Sequence, residues 1–288
     1  MKRLTLVLGA GGQLGEAMAS LLGPRDEVVT RTRDELDITV PDAVRATVSS
    51  VCPDVIINCA GYTSVDGAQS APIDALAANA WAVRTIAHAA ADIDAVLVHF
   101  STDFVFDGAA SRPYVEEDPP NPRGTYAVTK LLGEWLAADA GRHYVLRVES
   151  LFGGLRARSS VDRIFDGLLA GTEVRTFVDR TVSPSYVVDV VAATEALLDR
   201  GAPYGVYHCV NSGWTTWTGL ARELARLLGR PDGPVAEVRM ADAALLTPRP
   251  LFAALDNTRL GREAIAMPTW QDALARYVDT RLHTSADE

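Results

Sequence analysis

The stretch that decides the fold is Leu4-Thr5-Leu6-Val7-Leu8-Gly9-Ala10-Gly11-Gly12-Gln13-Leu14-Gly15. A short apolar run meets a glycine turn, and Glu16 to Leu22 continues with helical spacing up to Gly23-Pro24, so the reading is strand, turn, helix. Glycines at 9, 12 and 15 permit a tight turn, close approach of backbone to a pyrophosphate, and close packing of helix on strand. The phosphates would sit at the positive end of the helix. A glycine turn can be merely structural, but this one directly follows the first strand of the chain, which points to dinucleotide binding.

The residues that follow extend the same alternation. Glu27 to Thr30 reads as a second strand, and just past it stand Arg31, Thr32 and Arg33 where an acidic residue would accept the ribose hydroxyls of NAD. Arginine there suits a 2′-phosphate and so NADPH over NADH, the other reading being a solvated basic turn. Pro41 to Val51 is a helix with proline in its first turn, and Asp54 to Asn58 a strand apolar on both faces. It opens into Cys59-Ala60-Gly61-Tyr62-Thr63, small enough for backbone to approach a flat ligand. Pro72 to Ala91 reads as one long alanine-rich helix carrying Asn79 and Trp81, and Ala95 to Phe100 as the next strand, delivering Ser101-Thr102-Asp103 at its carboxyl end. Hydroxyls there could hold a carbonyl, or serve as a helix cap or Asx turn. A loop from Phe104 to Asn121 leads to another helix, and Tyr144 to Val148 is a further strand. Strand and helix in strict alternation predict an α/β fold with a doubly wound parallel sheet.

On the helix after that loop, Thr125 to Glu134, Tyr126 and Lys130 stand four apart and share one face. A cation beside a phenol favours phenolate, drawing the tyrosine toward the pH at which it can exchange a proton with a substrate oxygen. The chain has only two lysines, Lys2 and Lys130, its other basic side chains being arginine, which is no substitute for a compact ammonium.

Past Phe152-Gly153-Gly154 the pattern loosens. Arg156, Arg158 and Arg163 gather near a helix, Val161 to Leu169, where they could grip a diphosphate or simply be solvated. Val174 to Val178 and Val206 to Val210 read as strands around a helix from Tyr186 to Leu198. Trp217 to Leu228, Val235 to Met240 and Thr269 to Leu282 follow as helix, strand and helix. The later half is expected to form a smaller α+β lobe over the sheet edge.

Composition bounds the function. With 48% hydrophobic and 22% charged residues, the 288-residue chain can bury a large core. A net charge of -10 disfavours nucleic acid and anionic membranes as partners. Met1 runs straight into the first strand and no apolar run reaches bilayer length, so a cytoplasmic protein is expected. Cys52, Cys59 and Cys209 are odd in number and set in apolar contexts, and the five histidines lack ligand spacing, so neither disulfide nor metal site is expected.

Together, Gly9-x-x-Gly12-x-x-Gly15, the Asn58-Cys59-Ala60-Gly61 turn, Ser101-Thr102-Asp103 and Tyr126-x-x-x-Lys130 resemble an extended short-chain dehydrogenase/reductase. Finer detail is similar to the dTDP-4-dehydrorhamnose reductase branch: Tyr62-Thr63-Ser64-Val65-Asp66, Ser101 through Asp107, Lys130 through Glu134, Gly205-Val206-Tyr207-His208, Thr215-Thr216-Trp217, Arg249-Pro250 and Pro268-Thr269-Trp270. The similarity spans nearly the whole chain. It implies a Rossmann-like dinucleotide-binding domain over residues 1–150 and a mainly substrate-binding lobe over 151–288, with about 175–210 returning to the sheet.

The resemblance also implies roles. Tyr126 would donate a proton to the alkoxide at sugar C4, Lys130 would lower the Tyr126 pKa and hold the nicotinamide ribose, and Thr102 would orient the C4 carbonyl. The cofactor would be lined by Gly9, Gly12, Gln13, Leu14, Gly15, Arg31, Arg33, Asp37, Ile38, Cys59, Ala60, Gly61, Tyr62 and Ser101 together with Tyr126 and Lys130. The dTDP-sugar would meet Tyr62, Val65, Thr102, Asp103, Glu149, Ser150 and Arg249. Two departures stand out. Relatives continue Arg-Thr-Ser-Trp after the catalytic helix, whereas this chain reads Arg147-Val148-Glu149-Ser150, which implies a different or more polar 4-keto sugar or a re-packed wall. Glutamates that link some members through a metal appear here as Ala17 and a residue near Val188, so no metal is implied, and a homodimer or a monomer is expected. The default substrate is dTDP-4-dehydrorhamnose; a dihydrostreptose-type sugar of secondary metabolism is the neighbouring alternative. A non-catalytic regulatory subunit of methionine adenosyltransferase shares the fold, but the intact Thr102, Tyr126 and Lys130 argue against that role.

Overall fold

The computed structural model describes residues 2–22, 26–155 and 159–284. Arg156 and Arg158, and the helix end at Gly23-Pro24, lie outside the described residues. The first strand, β1 (Arg3–Leu8), is followed by the glycine turn and α1 (Gln13–Leu22). Then come β2 (Asp26–Arg31), α2 (Pro41–Val51), β3 (Val55–Asn58), the short α3 (Val65–Ser70) capped by Ser64, and α4 (Pro72–Leu76). α4 continues through a π-helical turn, Ala77–Trp81, into α5 (Ala82–Asp92), so the helix expected over 72–91 is one rod with a wide turn in its middle. β4 (Val96–Thr102), α6 (Thr125–Ala137) and β5 (His143–Val148) complete the first half.

Six parallel strands form the central sheet, in the order β2-β1-β3-β4-β5 and then β10 (Gly205–His208), which arrives only after a long excursion of the chain. The sheet is doubly wound and Rossmann-like. Its central strands are buried on both faces, and successive residues of β1 serve opposite cores. Val7 joins Leu14 and Met18 of α1 and Val187 and Val190 of the helix preceding β10, whereas Leu6 and Leu8 join Val44 and Val48 of α2, Ile86 of α5 and Ala137 of α6. The winding reverses between β1 and β3, and that switch point opens a crevice at the carboxyl ends of the strands.

The excursion builds the lobe: β6 (Leu151–Phe152), α7 (Ser160–Ala170), β7 (Val174–Phe177), β8 (Thr181–Val182), β9 (Ser185–Tyr186) and α8 (Val187–Arg200) before β10, then β11 (Thr215–Thr216), α9 (Trp217–Leu227), β12 (Val235–Val238), α10 (Thr258–Arg262) and α11 (Trp270–Thr284). Its strands pair two by two, β6 with β9, β7 with β12 and β8 with β11. A third core of Phe152, Phe165, Leu220, Trp217, Trp270 and Tyr277 holds α7, α9 and α11 together. β12 stops at Val238, two residues short of the strand expected there, and β10 stops at His208, leaving Cys209 and Val210 buried beyond it. Among the described residues no helix is long and apolar enough to cross a membrane.

Candidate active site

At the switch point, backbone geometry explains the glycines. Gly9 has φ +76 and lies against the end of β3, where a Cβ would come 2.6 Å from Ala60 N. A Cβ on Gly15 would fall 2.2 Å from Gly9 O, so only glycine lets α1 start this close to β1. The amides of Gly9 and Ala10 donate to Arg31 O at 2.9 and 3.1 Å, tying the turn to the end of β2. Gly12 stays exposed at the mouth, before the first turn of α1, whose free amides and dipole suit an anion. Gln13 reaches across, donating from Nε2 to Gly153 O at 2.8 Å.

The crevice widens into a cleft of about 430 Å³. Its walls include Gly12, Gln13, Leu14 and Gly15, then Cys59, Ala60, Gly61 and Val65, and then Ser101, Thr102, Asp103, Tyr126, Lys130, Glu149 and Ser150. Gly9 stands behind the turn. Other expected residues stand apart from these walls. Arg31 and Arg33 sit at the end of β2, the Arg31 guanidinium donating to Thr30 O at 2.7 Å and Arg33 being exposed. Asp37 is occupied by Thr39, accepting from its amide and hydroxyl, and Ile38 is in the core. Arg249 pairs with Asp66 at 2.9 Å, and Thr247 N donates to the other oxygen of the same carboxylate.

Tyr62 is held from behind. Asn79, buried in the π turn, accepts from Tyr62 N at 2.8 Å and donates to Tyr62 O at 3.0 Å and to Thr129 Oγ1 at 3.1 Å. The wide turn thus fixes both the loop after β3 and helix α6, a use typical of π insertions at functional sites. Nearby, Ala60 N donates to Asn58 Oδ1 while the Asn58 amide meets His99 Nδ1. Burial, with Lys130 close by, holds His99 well below its ordinary pKa and therefore neutral.

Tyr126 and Lys130 lie one turn apart on α6 and both face the cleft. Lys130 is buried and donates from Nζ to Phe100 O at 2.6 Å; burial lowers its pKa to about 8, against the pull of Glu134. Tyr126 packs edge-on against Phe104, centroids 5.5 Å apart. Part of its ring is open to the cleft, yet the dense surroundings push the phenol up to about 12, with the Thr102 hydroxyl pulling it down and Asp103 pushing it further up. The expected downward pull from Lys130 is not what governs Tyr126: desolvation dominates there, and the Lys130 ammonium donates to a main-chain carbonyl.

The helix that carries this pair is anchored by a buried polar chain. Glu134 accepts from Ser101 Oγ and from Arg147, whose Nε and Nη2 approach at 2.9 and 2.7 Å. Arg147 stacks 5.0 Å from the Phe106 ring centroid, and its Nη1 lies 3.3 Å from His208 Nε2. Desolvation and the Arg147 charge lower the His208 pKa to about 3, so the neutral ring accepts from Arg147 and donates from Nδ1 to Asp256 O. Sequence reasoning gave Asn79, Glu134, Arg147 and Phe104 no role.

On the substrate side, Thr102 Oγ1 donates to Asp103 Oδ1 at 2.9 Å and accepts from Phe104 N. Ser150, at φ +45, swings the chain from β5 into β6 and brings Glu149 to the cleft wall, where it accepts from Ser183 N. Next to this wall a second cavity of about 390 Å³ is lined by Arg163, Arg175, Arg180, Phe177 and Trp217.

A tyrosine hydroxyl and a buried ammonium opening onto a dinucleotide crevice are the working parts of an oxidoreductase of the short-chain dehydrogenase/reductase class. The family model described as the RmlD substrate binding domain matches residues 1–282. The chain is 37% identical over 263 residues to a dTDP-4-dehydrorhamnose reductase of Streptomyces griseus, covering 88% of this chain and 86% of that one. It is 34% identical to a probable dTDP-4,6-dihydroxy-2-methyloxan-3-one 4-ketoreductase of Streptomyces antibioticus, covering 93% and 92%. A dTDP-4-dehydrorhamnose reductase of Bacillus anthracis, solved in complex with NADP, superposes with a TM-score of 0.92 at 28% identity over 97% of this chain and 100% of that one. The chain belongs to the RmlD family, the dTDP-4-dehydrorhamnose reductase branch of that class.

Proposed function

We propose that this chain reduces the C4 keto group of a dTDP-4-dehydro-6-deoxy-L-hexose, by default dTDP-4-dehydro-L-rhamnose to dTDP-L-rhamnose, using NADPH, with NADH as the weaker alternative. The observation that carries the reading is the convergence of Thr102, Tyr126 and Lys130 on the wall of the glycine-turn cleft. The cleft fits such a cofactor: backbone amides and a helix N-terminus for the pyrophosphate, small residues Cys59, Ala60 and Gly61 for a flat ring system, and Arg31 and Arg33 beside the turn for a 2′-phosphate. Bound NADPH supplies the hydride that reduces the carbonyl carbon.

The chain's own residues do the rest. Thr102, turning its one hydroxyl proton from Asp103 to the substrate, holds the carbonyl oxygen, and Tyr126 gives its proton to that oxygen as negative charge develops there. A phenol near 12 keeps this proton until the alkoxide forms. Lys130, fixed by Phe100 O, presents a positive charge to the same region and offers its remaining protons to the cofactor ribose. Arg163, Arg175 and Arg180 around the neighbouring cavity suit the diphosphate of the substrate, with Trp217 for the base. Residues 1–150 then serve mainly the cofactor and 151–288 mainly the sugar nucleotide, Asp37 and Ile38 shaping the adenosine end and Tyr62 and Arg249 acting from behind the wall. A monomer or a homodimer in the cytoplasm, where NADPH is made, is the setting we propose for this activity.

The Glu149-Ser150 wall favours keeping a second reading, a 4-ketoreductase for another nucleotide-activated deoxysugar of secondary metabolism. Turnover of a panel of dTDP-4-keto sugars, followed by loss of NADPH absorbance, separates the two. No oxidation with any of them would reject both and favour a binding role.

A further inference from the structure

Beside the transfer site lies a charged cluster that reduction itself does not need. Asp103, at the end of β4, and Glu149, just past β5, both face the cleft while only 3% and 2% exposed. Arg180 lies 4.0 Å from Asp103 Oδ2, packs 5.6 Å from the Phe104 ring centroid, and also lines the basic cavity, so it stands between the two spaces. One cation faces two buried carboxyls, and desolvation raises both above the ordinary carboxylate range. Each member keeps one buried polar atom without a hydrogen-bond partner among the described residues: Asp103 Oδ2, Glu149 Oε1 and Arg180 Nε. Buried polar atoms are normally paired, and three orphans in one cluster at a cleft wall mark a place where a ligand completes the bonding. Arg180 Nε can only donate, and the open oxygens of Asp103 and Glu149 can accept. A hydroxyl, donor and acceptor at once, fits that set; a C–H or a methyl does not. Asp103 adjoins Thr102, so the hydroxyl concerned sits next to the ketone.

We propose that Glu149, Asp103 and Arg180 form a subsite selecting 4-keto sugars that carry a free hydroxyl at C3, the ring carbon beside the ketone. This rests on the keto-reductase reading above. The test compares kcat/KM for a dTDP-4-keto-6-deoxyhexose and its 3-deoxy counterpart in the wild type, Glu149→Ala and Glu149→Gln, with NADPH affinity as a check on the fold. The wild type should prefer the hydroxylated sugar by about a hundredfold, since a site built to bond a hydroxyl rejects the analogue lacking it. Glu149→Ala should bring that ratio within about tenfold, and Glu149→Gln, which keeps both volume and bonding capacity in part, should fall between. A ratio unchanged from wild type in Glu149→Ala overturns the subsite while leaving the reductase standing. Should that variant fail to bind NADPH, an unchanged ratio in Glu149→Gln overturns it equally. Failure of the wild type to reduce either sugar removes the reductase reading and the subsite with it.

Discussion

At Tyr126 burial is opposed by the Thr102 hydroxyl and at Lys130 by the Glu134 charge, and magnitude decides. Desolvation outweighs the neighbours at both, leaving a phenol near 12 and an amine near 8. In the proposed reaction such a tyrosine keeps its proton until the alkoxide forms. Tyr126→Phe should lower kcat by about 10²–10⁴-fold with the NADPH dissociation constant within about twofold, because only the proton is removed; steady-state turnover with a fluorescence titration of cofactor checks both, and full activity rejects the assignment. Lys130 gives a pH signature. Its ammonium is lost from the folded chain near pH 8 but from the unfolded chain only near 10.5, so between those values the unfolded state binds more protons and stability rises with pH. Activity that needs the ammonium falls as the pH rises through about 8. Urea midpoints for wild type and Lys130→Met should diverge there, and the alkaline limb of kcat/KM for NADPH should lie near 8; a limb near 10 would show the lysine to be unshifted.

The element that most controls the site is the π turn at Ala77–Trp81 facing α6. Gly133 lets α6 approach it: a Cβ there would fall 2.2 Å from Asn79 O. Helix propensity alone predicts that Gly133→Ala stabilises by up to about 1 kcal/mol, but the clash is with backbone and overpacking costs about 1–3 kcal/mol. The variant should therefore be less stable in chemical denaturation, and a gain would show that α6 can move away freely. Asn79→Ala should cost about 2 kcal/mol by unpairing Tyr62 and Thr129, and should raise the KM for NADPH more than it lowers kcat, since the loop after β3 is what loosens. The long helix itself was legible in its alanines, and α6 in its apolar Leu131, Leu132, Trp135 and Leu136. The π turn was not, because one extra residue in a helix shifts the apolar face too little to show in a run composed mostly of alanine. Glu134 and Arg147 were hidden for another reason: their bond spans β5 and α6, and nothing local in either segment requires it.

Across the whole molecule the same divide recurs between local and distant order. Strand, glycine turn and helix at residues 3–22 are set by neighbours in the chain, and so they could be read directly. The lobe's strands are mostly two residues long, with partners tens of residues away, so their periodicity is too short to register. Lobe and sheet are joined by Gln13 with Gly153 and by Arg249 with Asp66. Arg249→Ala should thus raise the KM for sugar nucleotide while leaving cofactor affinity intact, and equal losses for both ligands would assign it to the cofactor half. The late arrival of β10 has a consequence for biosynthesis. While the chain leaves the ribosome, β5 offers an unpaired edge until His208 has been made, and the first part of the lobe, from β6 to α8, must emerge before the sheet can close. A nascent chain halted after Ser150 is a template for pairing with its neighbours, so translation pauses within residues 151–208 would govern how much of this protein reaches the cell as active enzyme.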